Sequence, residues 1–333
     1  MNSNVYCCFL DASKAFDRVN HFSLFSKLIR KGVPQYIINF IIFWYSEQLM
    51  YVKWNNTISS GFKVSNGVRQ GGILSPYLFC VYMDDLSHTL NMVPTGCTVG
   101  AGNINHLMYA DDLALLSPTA NGMRALLKTC EQYGIDQDIK FNSLKSCMLI
   151  FKCKLLKDFI CSVFDLNGVQ IPVQSSVKYL GHIINDELKD DLDILRARKK
   201  LYCDGNIVLR KFGKCTEEVK IRLFNVFCSP LYTSHLWWNH TILTMRKVHI
   251  AYNNIFRLLC HEPKWCSASL MFVTRNVLNC QNVIRKNMLS FVNRLRNSKN
   301  SVIQGIVESD SMYTSPMVTN MFKQIYVQNS LFI

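Results

Sequence analysis

Residues 5–10 form an uninterrupted apolar run that stops at Asp11, the pattern of a buried strand ending on a carboxylate. Asn20 stands at an N-cap position ahead of a helix through about Arg30, which Gly32 closes. Pro34 opens a second helix through about Glu47. Residues 50–54 and 57–64 flank Asn55-Asn56, a hairpin signature. Asn66-Gly67 and Gly71-Gly72 mark a loop, and Ser75-Pro76 reads as an N-cap with proline at the first position of a helix to about Leu90. A second hairpin is expected over residues 107–109 and 113–117, with Ala110-Asp111-Asp112 at its tip and Tyr109 helping to hold it. Thr119 caps a helix with Met123, Leu126, Leu127, Cys130 and Tyr133 on one face and Gly134 as its stop. Residues 147–151, 164–166 and 177–184 read as strands, the last two separated by the turn Asn167-Gly168. From about Leu188 the apolar period becomes helical, with helices expected over about 188–212, 217–235 and 244–260. Residues 297–320, rich in Ser, Asn and Thr, are expected to be loose. The order is mixed α+β first, then all-α, with no internal repeat.

Composition makes this a folded chain. Of 333 residues, 49% are hydrophobic and 18% charged, the reverse of a disordered segment, and the length predicts roughly two domains. The longest apolar stretch, residues 37–45, is interrupted by Asn39 and falls far short of the ~20 residues of a membrane span. No basic n-region precedes the first apolar run, so no secretory signal is expected, and the protein is placed inside the cell, in nucleus or cytoplasm. The 14 cysteines are scattered, mostly in apolar contexts (Cys7, Cys8, Cys80, Cys147, Cys228), and read as reduced buried thiols. Cys260, His261, Cys266 and Cys280 come nearest to a zinc pattern, but no C-x2-4-C pair exists.

Charge adds a division. The net +14 comes from 37 Lys+Arg against 23 Asp+Glu. Residues 1–195 hold 17 of each, a net of 0, whereas residues 196–333 hold 20 against 6, a net of +14. The change begins at Arg196-Ala197-Arg198-Lys199-Lys200. A neutral region that does chemistry and a basic one that grips phosphates account for this split, against the alternative of one solvated helix face. Arg196, Arg198, Lys199, Lys200, Arg210 and Lys211 are the candidate nucleic-acid contacts.

Two acidic clusters stand at strand ends: Asp11, with Asp17 six residues on, and Asp111-Asp112. Adjacent like charges beside buried strands are costly unless a cation compensates them. Mg²⁺, bound by one or two carboxylates plus substrate phosphates, is the natural cation. Taken alone, Asp111-Asp112 reads first as a pair of solvated turn aspartates.

The clusters do not stand alone. Phe9-Leu10-Asp11-Ala12-Ser13-Lys14-Ala15-Phe16-Asp17 resembles motif A of reverse transcriptases, Gly67-Val68-Arg69-Gln70-Gly71-Gly72-Ile73-Leu74-Ser75-Pro76 resembles motif B, and Tyr109-Ala110-Asp111-Asp112 resembles the YADD box of motif C. Ile139-Lys140-Phe141-Asn142-Ser143-Leu144-Lys145 is similar to motif D and Tyr179-Leu180-Gly181 to motif E, all in family order. The style resembles the enzymes of non-LTR (LINE-type) retrotransposons, and the resemblance covers about residues 5–295.

The resemblance implies a polymerase palm, an antiparallel sheet backed by helices, followed by an all-α thumb and a C-terminal helical region. The expected divisions are a partial reverse transcriptase palm over 1–186, a thumb-like region over 187–262 and a helical or loose tail over 263–333. It implies that Asp11 and Asp111 bind two Mg²⁺ ions (Mn²⁺ being a substitute), that Asp112 is auxiliary, and that Lys145 gives a proton to pyrophosphate. Phe16 falls at the family's steric gate against a 2′-hydroxyl, Arg69, Gln70 and Gly71 at the dNTP pocket, and Tyr179, Leu180 and Gly181 at the primer grip. Read without the family, Phe16 is a core aromatic, Lys145 a surface lysine, Arg69 a salt-bridge partner, and Trp237-Trp238 core rather than a stacking platform. Asp17, one place after the gate, argues against the ribose-recognising aspartate of RNA-copying RNA polymerases. The expected partners are an RNA template, a DNA primer and dNTPs. The fingers, the upstream endonuclease and a C-terminal cysteine–histidine knuckle are expected to be missing, with another element-encoded chain as a possible supplier. The expected activity is RNA-directed DNA polymerase; the alternative is an inactive remnant that binds RNA or DNA through its basic part.

Overall fold

The structure, a computed structural model, describes residues 3–99, 102–153 and 162–308. It divides into two compact units, the first holding Met1–Thr98 and Asn103–Ser175, the second Val99–Gly102 and Ser176–Ile333.

The first unit is α+β. Its elements are β1 (Val5–Asp11), α1 (His21–Arg30), α2 (Gln35–Ser46), α3 (Ser75–Asn91), β2 (His106–Tyr109), β3 (Asp112–Ser117), α4 (Ala120–Asp136), β4 (Cys147–Phe151) and β5 (Val173–Gln174). The five strands form one sheet in the order β5-β4-β1-β3-β2, antiparallel except for β4 with β5. β1 is central and buried through residues 6–10. Its period-two alternation puts Tyr6, Cys8 and Leu10 into one core with Leu24 and Leu28 of α1, Phe79 and Tyr82 of α3, and Met123 and Leu126 of α4. Burial first, and then neighbouring Cys147 and Cys97, pushes the Cys7 thiol up to about 12, so it stays protonated. Lys27 is a cation inside this core: Nζ donates to the Tyr82 carbonyl (2.6 Å) and the Tyr133 hydroxyl (3.1 Å) and pairs with Asp85 (3.1 Å), which ties α1, α3 and α4 together.

Local chemistry sets most boundaries. The Asn20 and Thr119 side chains accept from Ser23 and Gly122 backbone N–H groups as N-caps. Two short ladders, Leu49–Met50 with Phe62–Lys63 and Lys53–Trp54 with Thr57–Ile58, make the first hairpin, with Asn55 at φ 52° in its turn.

Several expectations are corrected. Ser75 is itself helical and Leu74 is the cap residue, with no side-chain hydrogen bond. Gly134 does not stop its helix, which runs on to Asp136; a Cβ there would lie 2.5 Å from the Ile139 carbonyl, so its role is close approach. The YADD turn has two residues rather than three, because Asp112 pairs with Tyr109 inside the ladder, and the Tyr109 ring is 67% exposed rather than a hairpin brace. Asn167-Gly168 joins Asp165–Leu166 to Val169–Gln170.

The second unit begins with a hairpin, β6 (Ser176–Tyr179) and β7 (His182–Asn185), where one strand over 177–184 was expected. Six helices follow: α5 (Asp191–Phe212), α6 (Glu217–Leu223), α7 (Ile242–Leu259), α8 (Ala268–Thr274), α9 (Cys280–Arg296) and α10 (Ser301–Glu308). The expected helix over 217–235 is broken. It widens into a π turn at Phe224–Cys228, where the Ser229 N–H reaches back to the Phe224 carbonyl, and Pro230, which has no N–H to donate, prevents its continuation. Residues 301–308 are helical rather than loose, and 309–320 lie outside the described residues. Among the described residues no helix is long and apolar enough to cross a membrane.

The helical core contains Leu201, Phe224, Trp237, Tyr252, Ile255 and Phe256. One carboxylate organises its edge. Asp193 is fully buried and accepts from Arg196 Nε (2.8 Å), Thr233 Oγ1 (2.7 Å), Trp237 Nε1 (2.8 Å) and the Ile183 N–H (3.1 Å). Burial alone would raise its pKa, but the neighbouring His182 imidazole and hydrogen bonds from Trp237, Thr233 and Arg196 hold it well below the usual carboxylate range. Its contribution to stability is therefore complete above the ordinary aspartate pKa and lost as acid protonates it. Removing it leaves an indole N–H and two cations without their acceptor. The Asp193→Ala chain should lose about 3–5 kcal/mol, read as a lower urea midpoint of the unit that contains Trp237.

Candidate active site

The first unit brings the expected carboxylates and Lys145 to one strand end and sets Arg69 and Gln70 on a separate cavity. In the β1–β3 register Asp11 lies directly opposite Asp112. The turn between β2 and β3 is Ala110-Asp111, with Ala110 at φ 53° in the left-handed region that a two-residue hairpin requires. Asp11, Asp111 and Lys145 line one cavity of about 470 Å³. Lys145 Nζ stands 4.0 Å from Asp11 Oδ2.

Lys145 reaches this place through the backbone. The Asn142 N–H donates to the Asp11 carbonyl (2.8 Å), the Ser13 N–H to the Lys140 carbonyl (2.8 Å), and the Asp11 N–H to Ser146 Oγ (3.2 Å). The Asn142 side chain accepts from the Leu144 and Lys145 N–H groups, which makes the turn. The segment that resembles motif D is thus stitched to the end of β1.

Burial first, then Asp111 and Asp11, raises the Asp112 pKa. The strand ends gather three carboxylates, with Lys145 paired to Asp11 at 4.0 Å. Among the described residues no group of three or more His, Cys, Asp and Glu side chains is gathered so as to hold a metal by itself. What the strand ends offer is carboxylates on one cavity, the partial set that a hard divalent cation completes with water and phosphate oxygens.

Phe16 is half-buried against the core and stacked on Phe79 of α3, centroids 4.5 Å apart and 10° from parallel. Its carbonyl accepts from the Val68 N–H (2.8 Å), and the Gly67 N–H donates to the Val19 carbonyl (2.7 Å), so the 67–72 loop lies against the 16–19 segment. Gln70 Nε2 donates to Asp17 Oδ1 (3.2 Å), and the Arg69 guanidinium lies over the Trp44 ring at 5.9 Å. Arg69 and Gln70 line a second cavity of about 720 Å³ with Asp17, Gln48 and Val68. Gly71, at φ 82°, turns the loop after them.

Lys14 and Arg18 also line the carboxylate cavity and were missed in the sequence reading. They stand three and seven residues after Asp11, in the same loop, and that spacing was the available signal. Arg18 pairs with Asp138 at 3.3 Å.

In the second unit Leu180 (φ 45°) and Gly181 (φ 84°) form the tip of the β6–β7 hairpin, with Tyr179 before it. The tip lines a groove of about 250 Å³ with Arg196, Lys200, Phe227 and Tyr232. The basic residues of α5 differ in setting. Arg196 is held by Asp193 and Lys200 by Asp204 (2.8 Å); Arg198 lies over the Tyr202 ring at 5.7 Å; Lys199, Arg210 and Lys211 are exposed.

Gly67 is where the loop meets backbone most closely. Its φ is 92°, and an added Cβ would lie 2.9 Å from the Asp17 carbonyl oxygen. The Gly67→Ala chain should therefore lose about 1–3 kcal/mol and release the Gln70–Asp17 contact, seen as a lower melting temperature and faster amide exchange over 66–72.

Comparison with known proteins assigns the family. The family model for reverse transcriptase (RNA-dependent DNA polymerase) matches residues 1–184 of the 333. The chain is 38% identical over 129 residues to the retrovirus-related Pol polyprotein from type-1 retrotransposable element R2 of Nasonia vitripennis, covering 38% of this chain and 12% of that protein. Against the corresponding polyprotein of element R2DM of Drosophila melanogaster the identity is 35% over 186 residues, 53% and 17% of the two chains. The RNA-directed DNA polymerase from mobile element jockey of Drosophila funebris is 22% identical across 97% of this chain and 36% of its own. The chain thus spans between 12% and 36% of the length of these relatives. Among solved structures, telomerase from Candida tropicalis in complex with a fragment of telomeric RNA aligns with a TM-score of 0.46 and 12% identity over 98% of this chain and 48% of that one. The matched segment contains Asp11, the 67–76 loop, Asp111-Asp112 and Lys145, and by it the chain belongs to the reverse transcriptase family.

Proposed function

We propose that this chain is the polymerase segment of a non-LTR retrotransposon reverse transcriptase, an RNA-directed DNA polymerase that extends a DNA primer on an RNA template. The observation that carries the reading is the meeting of Asp11 and Asp111 on one cavity at the ends of paired strands, with Asp112 opposite Asp11 and Lys145 4.0 Å from it. The first unit is read as the palm and the helices of the second as the thumb. The primer 3′-hydroxyl oxygen bonds to the α-phosphorus of a dNTP, the bond from that phosphorus to the bridging oxygen breaks, and pyrophosphate leaves. Two Mg²⁺ ions, held by Asp11 and Asp111 with Asp112 beside them, would supply the positive charge that favours the attacking alkoxide and the leaving pyrophosphate. Lys145, at the cavity wall, is placed to give pyrophosphate a proton. Lys14 and Arg18 add positive charge on the same wall, suited to triphosphate oxygens. The Phe16 ring, held flat against Phe79, presents a wall that suits a sugar without a 2′-hydroxyl. The groove beside Leu180-Gly181 and the exposed Lys199, Arg210 and Lys211 suit the phosphates of the template–primer duplex.

Primer extension by the full chain, on an RNA template with Mg²⁺, should incorporate dNTPs in preference to NTPs. Asp111→Asn should cut the rate by at least about 100-fold, and extension at the native rate in that variant would sink the assignment. Asp112→Asn tests the charge. The Asp112 pKa is raised, so its ionised form opposes folding, and that cost is present above the folded pKa. The variant should therefore melt higher than the native chain in EDTA, and added Mg²⁺ should raise the native melting temperature more than the variant's.

A further inference from the structure

His182 is the first residue of β7 and lies opposite Tyr179 across the hairpin. Between them Leu180 and Gly181 both take positive φ, 45° and 84°. Leucine is a bulky side chain that adopts this region only when its surroundings enforce it.

A two-residue turn requires both positive values, and the side chain at its closing position, His182, is held from the α5 end. Its imidazole sits between two carboxylates at the start of α5, with Nδ1 3.1 Å from Asp193 Oδ2 and Nε2 3.7 Å from Asp190 Oδ1. The Nδ1 approach is an ion pair rather than an aligned hydrogen bond. Both carboxylates are fixed in turn. Asp190 accepts from the Trp238 and Asn239 N–H groups (2.9 and 2.8 Å), and Asp193 from Thr233, Trp237 and Arg196. A second strap runs the same way, from the Ile183 N–H to Asp193. A neutral imidazole would turn a lone pair toward one of these carboxylates; only the doubly protonated ring presents N–H to both.

The other charged and titratable groups around this ring are basic and do not add to its charge stabilisation, which comes from the two carboxylates. Arg196 shares Asp193 with it. His235, on the turn Ser234–Leu236, is held below its ordinary value by burial and Arg294, with a smaller contribution from His182. Lys178, on the neighbouring strand, points to solvent. Burial would lower the His182 pKa, but Asp190 and Asp193 raise it to about 9. The link is therefore whole below the ordinary histidine value of ~6.5 and is lost as pH rises through the folded value.

We propose that His182 is a positioning residue: as an imidazolium bridging Asp190 and Asp193, it fixes the Leu180-Gly181 tip against the first turn of α5 and so sets the groove that the tip shares with Arg196 and Lys200. That a nucleic-acid backbone occupies the groove rests on the function proposed above; the positioning itself does not.

The test is nuclear magnetic resonance of the full chain with no RNA, DNA or nucleotide present. The His182 ring nitrogens should titrate near 9, and the Leu180 and Gly181 amide resonances should follow the same curve. His182→Gln keeps a donor without the charge; its tip amides should already be displaced at pH 7 and show no such titration. His182→Arg restores a cation and should return the tip resonances toward their native positions while the chain still melts cooperatively. A ring that titrates near ~6.5, or tip amides indifferent to its titration, would overturn the proposal. Failure of the polymerase reading would appear instead in primer extension and would leave this result standing.

Discussion

The geometry of the carboxylate cluster depends on one backbone register, the antiparallel pairing of β1 with β3. Strand side chains alternate faces, so a slip of one residue would send Tyr6, Cys8 and Leu10 out of the core and carry Asp11 away from Asp112. Apolar burial along β1 therefore fixes where the carboxylates stand. The other edge of β1 pairs with β4, Phe9 against Cys147, and the turn before β4 delivers Lys145 to the same strand end. One central strand sets both the acidic and the basic member of the site.

The helical unit handles charge differently. Its sequence is rich in cations, yet several are already engaged. Arg196 serves Asp193, Lys200 serves Asp204, Arg275 pairs with Glu217 and Glu262, and buried Lys220 donates to His261. A carboxylate taken into the core needs such partners. Part of the positive excess is thus structural, and the rest is spread over solvent-exposed positions such as Lys199, Arg210, Lys211, Arg246 and Lys286.

Much of this was legible in the residues because the signals are local. The Asn20 and Thr119 caps, the apolar run ending at Asp11 and the ordered motifs around the two acidic clusters each declare themselves within a few positions. What could not be read depends on partners distant in sequence. Leu180 carries no turn signal, and its left-handed conformation belongs to a two-residue turn inside an otherwise apolar run, so the hairpin looked like one strand. Gly134 resembles a helix stop but is a point of contact with the chain at Ile139. Lys27 and Asp193 are charged residues that periodicity would place at the surface, and only Tyr82, Tyr133, Trp237 and Thr233 make their burial tolerable. Lys14 and Arg18 were overshadowed by the carboxylate they accompany.

The first hairpin has a bearing on how the protein behaves in solution. Its two ladders are only two residues a side, and Trp54, Ile58 and Phe62 stand in water, Trp54 at 78% exposure. Ladders this short offer little edge for another chain's strand to pair with, so what the hairpin presents to a neighbour is its apolar side chains. The unit that carries it, Met1–Thr98 with Asn103–Ser175, holds 15 Lys+Arg against 12 Asp+Glu, a net of +3, whereas the other unit holds 22 against 11, a net of +11. Most of the charge that keeps copies apart therefore belongs to the unit that does not carry the hairpin.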